Sequence, residues 1–126
     1  AAGRPHAMPV WGVWMPDDTY WFSCDHAARK ARNLRENPRV TVAADSTIEV
    51  VSVEGVARVA TEDETAAACA AYVAKYGHEM EDMDDSSIED FLRAHAAFTV
   101  VPERAFGMIE RPEEFSTKAT RWRWPA

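Results

Sequence analysis

Cysteine is scarce in this chain: Cys24 and Cys69 are the two among 126 residues. Two thiols make neither a disulfide framework nor a metal-ligand spacing, and such usage fits a reducing cytoplasm. Positive charge is also short, since 14 Lys and Arg stand against 21 Asp and Glu for a net charge of −7. General nucleic-acid binding needs a broad cationic surface that neutralises phosphates, so that class is excluded. No window approaches the apolar length of a membrane span, and no charged-then-apolar leader opens the chain, which begins at Ala1 without an initiator Met. The four histidines, His6, His26, His78 and His95, have no mutual metal-ligand spacing, so no metal site is expected. What is abundant is apolar surface: 47% of residues, with five Trp and five Phe, which implies a folded globule of one domain.

Along the chain, "RPHAMPVWGVW" from Arg4 and "TYWFSC" are rich in β-formers and flank the Pro/Asp turn "MPDD", which predicts a hairpin. Pro9 lacks a backbone donor and is expected at an edge or where the strand leaves its neighbour, with backbone groups nearby open to a ligand. From His26 the spacing of Ala27, Ala31 and Leu34 predicts a short amphipathic helix capped by Asp25 and ended by Asn37-Pro38. Strands follow at "RVTVAAD" and at Glu49 to Ala60, with Gly55 marking a bulge or bend. A helix is predicted from Thr61 to Gly77 by its acidic first turn, Ala-rich body and terminal Gly. An acidic loop leads to a further helix opened by a Ser86/Glu89 capping box, and "FTVVP", "FGMI" and "ATRWRW" read as three last strands. Six or seven strands without βαβ alternation predict a small antiparallel barrel with helices packed outside.

The helix after Asp25 carries Arg29, Lys30, Arg32 and Arg35 in an otherwise acidic chain. On a helical wheel Ala27, Ala31 and Leu34 form one face, while Arg29, Arg32 and Asn33 gather opposite, with Lys30 between. Unpaired N–H groups at the helix start add partial positive charge, and Arg offers two-pronged bonding to phosphate or carboxylate oxygens. Such a run is equally read as a solvated face paired with acids elsewhere. Its neighbours favour a small anionic ligand: "TYWFSC" places Ser23 and Cys24 at the helix entrance, and Trp11 and Trp14 are close in sequence to the same corner.

The ordered segments "GRPHAMPVWGVW", "YWFSC", "ARKARNLRENPRVTV", "VVSVEGVARV" and "ATRWRW" resemble the split β-barrel flavin and deazaflavin proteins related to pyridoxamine 5′-phosphate oxidase. Within that group they are most similar to the actinobacterial oxidoreductases that use coenzyme F420. The likeness fails only in the helical excursion from about Glu62 to Ala97. It implies a mainly β, six-stranded antiparallel split barrel with peripheral helices, spanning 1–126 and preceded in relatives by a further helix and strand. It also implies a homodimer with cofactor sites at the interface. By resemblance, Arg29 and Lys30 hold the cofactor's phosphate, Arg32 and Asn33 lie beside it, and Pro9, Val10 and Trp11 border the ring. Trp122 is the C-terminal aromatic that approaches the site. Many relatives carry Ser or Thr just ahead of the "RK" pair, where this chain has Ala27 and Ala28, removing a hydrogen bond of about 1 to 2 kcal/mol.

The expected function is therefore hydride transfer from reduced coenzyme F420 to an unsaturated or conjugated small molecule, with no catalytic acid identifiable. FMN-dependent redox chemistry on the same barrel, or non-catalytic binding of a flavin, deazaflavin or tetrapyrrole, are the alternatives. Glu54 is read as half of a cross-strand ion pair rather than a general base. The "EMEDMDD" stretch is read as a solvated loop, because it lacks the spaced ligands of a calcium loop.

Overall fold

The structure, a computed structural model, describes residues 3–125, so Ala1, Ala2 and Ala126 at the ends of the expected domain lie outside the described residues. Its strands are β1 (Gly12–Trp14), β2 (Tyr20–Cys24), β3 (Arg39–Ala43), β4 (Glu49–Val59), β5 (Ala96–Ile109) and β6 (Thr120–Arg123). Its helices are α1 (Arg29–Glu36), α2 (Glu62–Tyr76) and α3 (Asp85–Arg93), with a 3-10 turn at Gly77–Glu79. All strand pairs are antiparallel, in the order β1-β2-β5-β4-β3 with β6 on β5. Among the described residues no ladder joins β1 to β3, so the sheet is open, as a split barrel is. No described helix is long and apolar enough to cross a membrane.

The strand expected from Arg4 is much shorter than its composition implies. Pro5 and Pro9 have no N–H to give a ladder, and residues 4–11 run outside any strand until Gly12 pairs with Phe22. By contrast, the segments "FTVVP" and "FGMI" merge into one strand, β5. Pro102 does not end it, because the ladder slips there: Glu54 faces Arg104 while Gly55 faces Pro102, and Glu103 is the extra residue of a bulge. The bulge divides β5, whose first half pairs with β2 and second half with β6 along the same edge. Gly55 sits where the two backbones crowd, since a Cβ there would overlap the Val101 carbonyl oxygen. Glu54 and Arg104, directly opposed, form the expected cross-strand ion pair.

Alternation along β2 divides the core between two faces of the sheet. Trp21 joins Val13 against Ala68, Cys69 and Tyr72 of α2 and Ile88 and Leu92 of α3. Phe22 and Cys24 point the other way, to Ala57, Phe98, Val100 and Ala31 of α1. Each fully buried large side chain, such as Ile88 or Leu92, contributes about 1.5 to 3 kcal/mol of hydrophobic stabilisation.

Helix starts follow local chemistry. Thr61 and Glu64 form a reciprocal capping box at α2, with Glu64 N–H donating to Thr61 Oγ1 at 3.2 Å and Thr61 N–H to Glu64 Oε1 at 2.9 Å. The box expected at Ser86/Glu89 is absent: α3 begins earlier, because the Asp84 carboxylate accepts the Ser87 N–H at 2.8 Å. Glu89 pairs instead with Arg93 one turn on.

Candidate functional site

The basic helix α1 docks through Ala28, Ala31 and Leu34, which pack against the face lined by Phe22, Ala57 and Phe98. Ala28 takes the place expected for Ala27, since the helix begins at Arg29 rather than His26. Asp25 is not its cap. The Asp25 carboxylate accepts the Ala27 N–H at 2.7 Å in a turn ahead of the helix, and α1 starts with no side-chain cap. The first N–H groups of the helix are left for another acceptor.

Opposite the docking face, Arg29 and Arg32 are exposed, while Lys30 and Asn33 are half-buried. Among the described residues no carboxylate pairs with Arg29, Lys30 or Arg32, whereas Arg39, Arg58, Arg93, Arg104 and Arg111 each have at least one. Arg35 turns back to donate to the His26 carbonyl at 3.2 Å. Burial raises the Cys24 thiol above its ordinary pKa despite the opposing pull of Lys30 and Arg35, which keeps it protonated rather than a reactive thiolate.

Pro9, Val10 and Trp11 lie in the irregular approach to β1, not in a strand as expected. Val10 packs on the same cluster as Ala28 and Leu34, so it shares one face of the sheet with α1, whereas Trp11 turns to α2 on the other. Trp11 lies flat on Tyr76, with ring centroids 4.8 Å apart and planes at 13°. Tyr76 also clamps the next residue: Gly12 N–H donates to its hydroxyl at 3.1 Å, and that hydroxyl donates to the Gly12 carbonyl at 2.7 Å. Lys75 Nζ donates to the same carbonyl at 3.0 Å. From the other side the Tyr20 ring fills the space a Gly12 side chain would take.

Ser23 does not join this group. It shares the parity of Trp21 on β2 and so faces away from α1, and Cys24 is the residue turned toward the helix. Trp122 is on β6, opposite Ala105 and against Gly107, where a Cβ would stand 3.0 Å from its ring. That places it beyond the bulge, on the half of β5 that β2 does not reach, so within one chain it is not gathered with α1. Sequence reasoning missed Tyr20, Lys75 and Tyr76, because 64 residues separate Gly12 from Tyr76 and only the packing of α2 joins them. Among the described residues no group of His, Cys, Asp and Glu could hold a metal ion.

Residues 1–107 match the family described as pyridoxamine 5′-phosphate oxidase. No curated protein matches the sequence. Among solved structures, the chain is similar to conserved hypothetical protein Rv2991 from Mycobacterium tuberculosis, with a TM-score of 0.65 and 24% identity over 86% of this chain and 71% of that one. A second solved structure has a TM-score of 0.66 and 17% identity, over 90% of this chain and 74% of the other. At those identities the likeness is one of fold. With the family match reaching from the first residues through the bulged strand, and an open six-stranded sheet to go with it, the chain belongs to the pyridoxamine 5′-phosphate oxidase family of split-barrel proteins, which commonly bind flavins and act in redox chemistry.

Proposed function

We propose that the protein is an oxidoreductase that binds reduced coenzyme F420 and directs a hydride to an unsaturated or conjugated small molecule. The observation that carries this reading is the cationic face of Arg29, Lys30 and Arg32, unpaired among the described residues of a chain of net charge −7. Guanidinium and ammonium donors beside uncapped helix N–H groups suit a phosphate-bearing, multiply anionic cofactor. Arg29 and Lys30 would hold the phosphate, with Arg32 and Asn33 beside it. The backbone of Pro9, Val10 and Trp11 would border the ring. When bound, the deazaflavin supplies the hydride; the chain's own work is orientation and exclusion of water. Trp11 and Trp14, each more than two-fifths exposed, are suited to wall a stacked substrate.

A homodimer with the site at its interface belongs to the same reading. Val51 and Trp122 are exposed and meet at Gly107, which Val51 faces across the ladder and the Trp122 ring packs against, and this suits a second copy that brings Trp122 to the site.

FMN is the second reading, favoured by membership of a family that commonly binds flavins. Separate titrations with FMN and coenzyme F420, followed by ligand fluorescence, discriminate. Tight coenzyme F420 binding followed by reduction of enones or quinones is the expected result. Binding of FMN without the deazaflavin would transfer the assignment to FMN, and tight binding without turnover would make the protein a carrier.

A further inference from the structure

The Gly12 corner holds a hydroxyl that the protein itself does not use. Tyr20 opens β2, on the face shared with Gly12, Trp14 and Phe22. Its ring reaches across the ladder so that a Cβ at Gly12 would overlap its hydroxyl. Neither backbone group of Gly12 is free to bind that hydroxyl, since Tyr76 takes the N–H and Tyr76 and Lys75 together take the carbonyl. The Tyr20 hydroxyl makes no hydrogen bond among the described residues, although the two neighbouring groups at this corner are fully engaged. The side-chain atoms that are both enclosed and unpaired are Trp21 Nε1 and Thr99 Oγ1, so the half-buried Tyr20 keeps its hydroxyl in reach of solvent.

We propose that the Tyr20 hydroxyl is a ligand-positioning donor, which hydrogen-bonds a neutral carbonyl oxygen of the bound ring or of the substrate stacked on it. The inference rests on the function proposed above, whose ring lies along Pro9 to Trp11, directly before Gly12. The Trp14 ring stands beside this phenol, its centroid 6.5 Å from that of Tyr20. Burial, reinforced by the Tyr76 phenol, pushes Tyr20 up to about 12, so it stays protonated at any physiological pH. A phenol in that state donates a hydrogen bond and does not take up or release a proton, which suits recognition of an uncharged oxygen. Open to solvent and not engaged by any described residue, the hydroxyl is available to a ligand acceptor.

Tyr20→Phe removes the hydroxyl and keeps the ring on Phe22, so the test compares this variant with the wild-type chain, with folding checked by circular dichroism. FMN and coenzyme F420 are titrated separately, the absorption band of the bound ring is recorded, and turnover is measured with cyclohexenone as probe. A ring carbonyl as acceptor predicts a loss of cofactor affinity of about tenfold with a displaced absorption band. A substrate carbonyl as acceptor predicts unchanged cofactor affinity with kcat/KM for the enone lowered about tenfold. Unchanged affinity, spectrum and kinetics in a variant whose parent binds cofactor overturn this inference alone, whereas a parent that binds neither cofactor overturns the functional reading with it. Should that variant not fold, Tyr20→Leu is measured in the same way, and unchanged affinity, spectrum and kinetics there overturn the proposal.

Discussion

Tyr76 holds Gly12 by both of its backbone groups, accepting from the N–H at 3.1 Å and donating to the carbonyl at 2.7 Å. The last turn of α2 thereby anchors β1, a strand of only three residues that, among the described residues, is laddered to β2 alone. Tyr76→Phe keeps the stack on Trp11 and deletes both bonds. It should cost about 1 to 2 kcal/mol in urea denaturation, and native-state hydrogen exchange should show the Gly12 amide losing protection before those of β2.

Two glycines should respond to alanine in opposite senses. At Gly55 the new Cβ would overlap the Val101 carbonyl oxygen, a backbone atom held by the ladder that cannot rotate aside. Gly55→Ala should destabilise by about 1 to 3 kcal/mol. Gly77 has a right-handed backbone, φ −56°, and its Cβ would meet only a Val73 methyl at 3.6 Å. Gly77→Ala should stabilise by about 0.4 to 1 kcal/mol, because alanine restricts the unfolded chain. Paired thermal melts of the two variants against wild type check both signs.

Glu64 makes stability depend on acid pH. The Arg58 guanidinium, with bonds of 2.7 and 2.9 Å, and the Thr61 donors hold its carboxyl down at about 2, against an ordinary value of 4.5. A carboxyl depressed in the folded state contributes stability above the unfolded pKa and loses it as pH falls through the folded one. The contribution should be whole above pH 4.5 and vanish on descending to about 2. Glu64→Gln should be less stable than wild type by about 1 kcal/mol at neutral pH, the ordinary worth of such a cap. Denaturation curves taken down the pH scale should converge near the lower limit; a constant gap would assign the loss to packing.

Replacing Arg29 and Lys30 together with Ala should leave stability within about 0.5 kcal/mol, since neither forms an ion pair among the described residues. Cofactor affinity should fall by at least about tenfold for each charge-assisted bond lost, and the salt dependence of binding should weaken. A folded double variant that binds cofactor as tightly as wild type would remove α1 from the site.

What the sequence determined by itself is local. The Ala-rich body and acidic start of α2, the alternation of β4 and the division of α1 into an Ala/Leu side and a cationic side all follow from neighbours within a turn or a pleat. So does the order of motifs that carries the family likeness. Where local signals competed, packing and pairing decided: Asp84 capped α3 in place of Ser86, and Asp25 was spent on a turn. The ladder register kept Pro102 inside β5 beside a bulge, because Glu103 could leave the β4 ladder there while its carbonyl accepts the Trp124 N–H. Only the tertiary structure set Ser23 on the face away from α1, left Trp122 beyond the bulge and brought Tyr76 and Lys75 to Gly12. Those relations span tens of residues and depend on which face of a shared sheet each side chain meets, a choice that one-residue alternation makes only once the strands are paired.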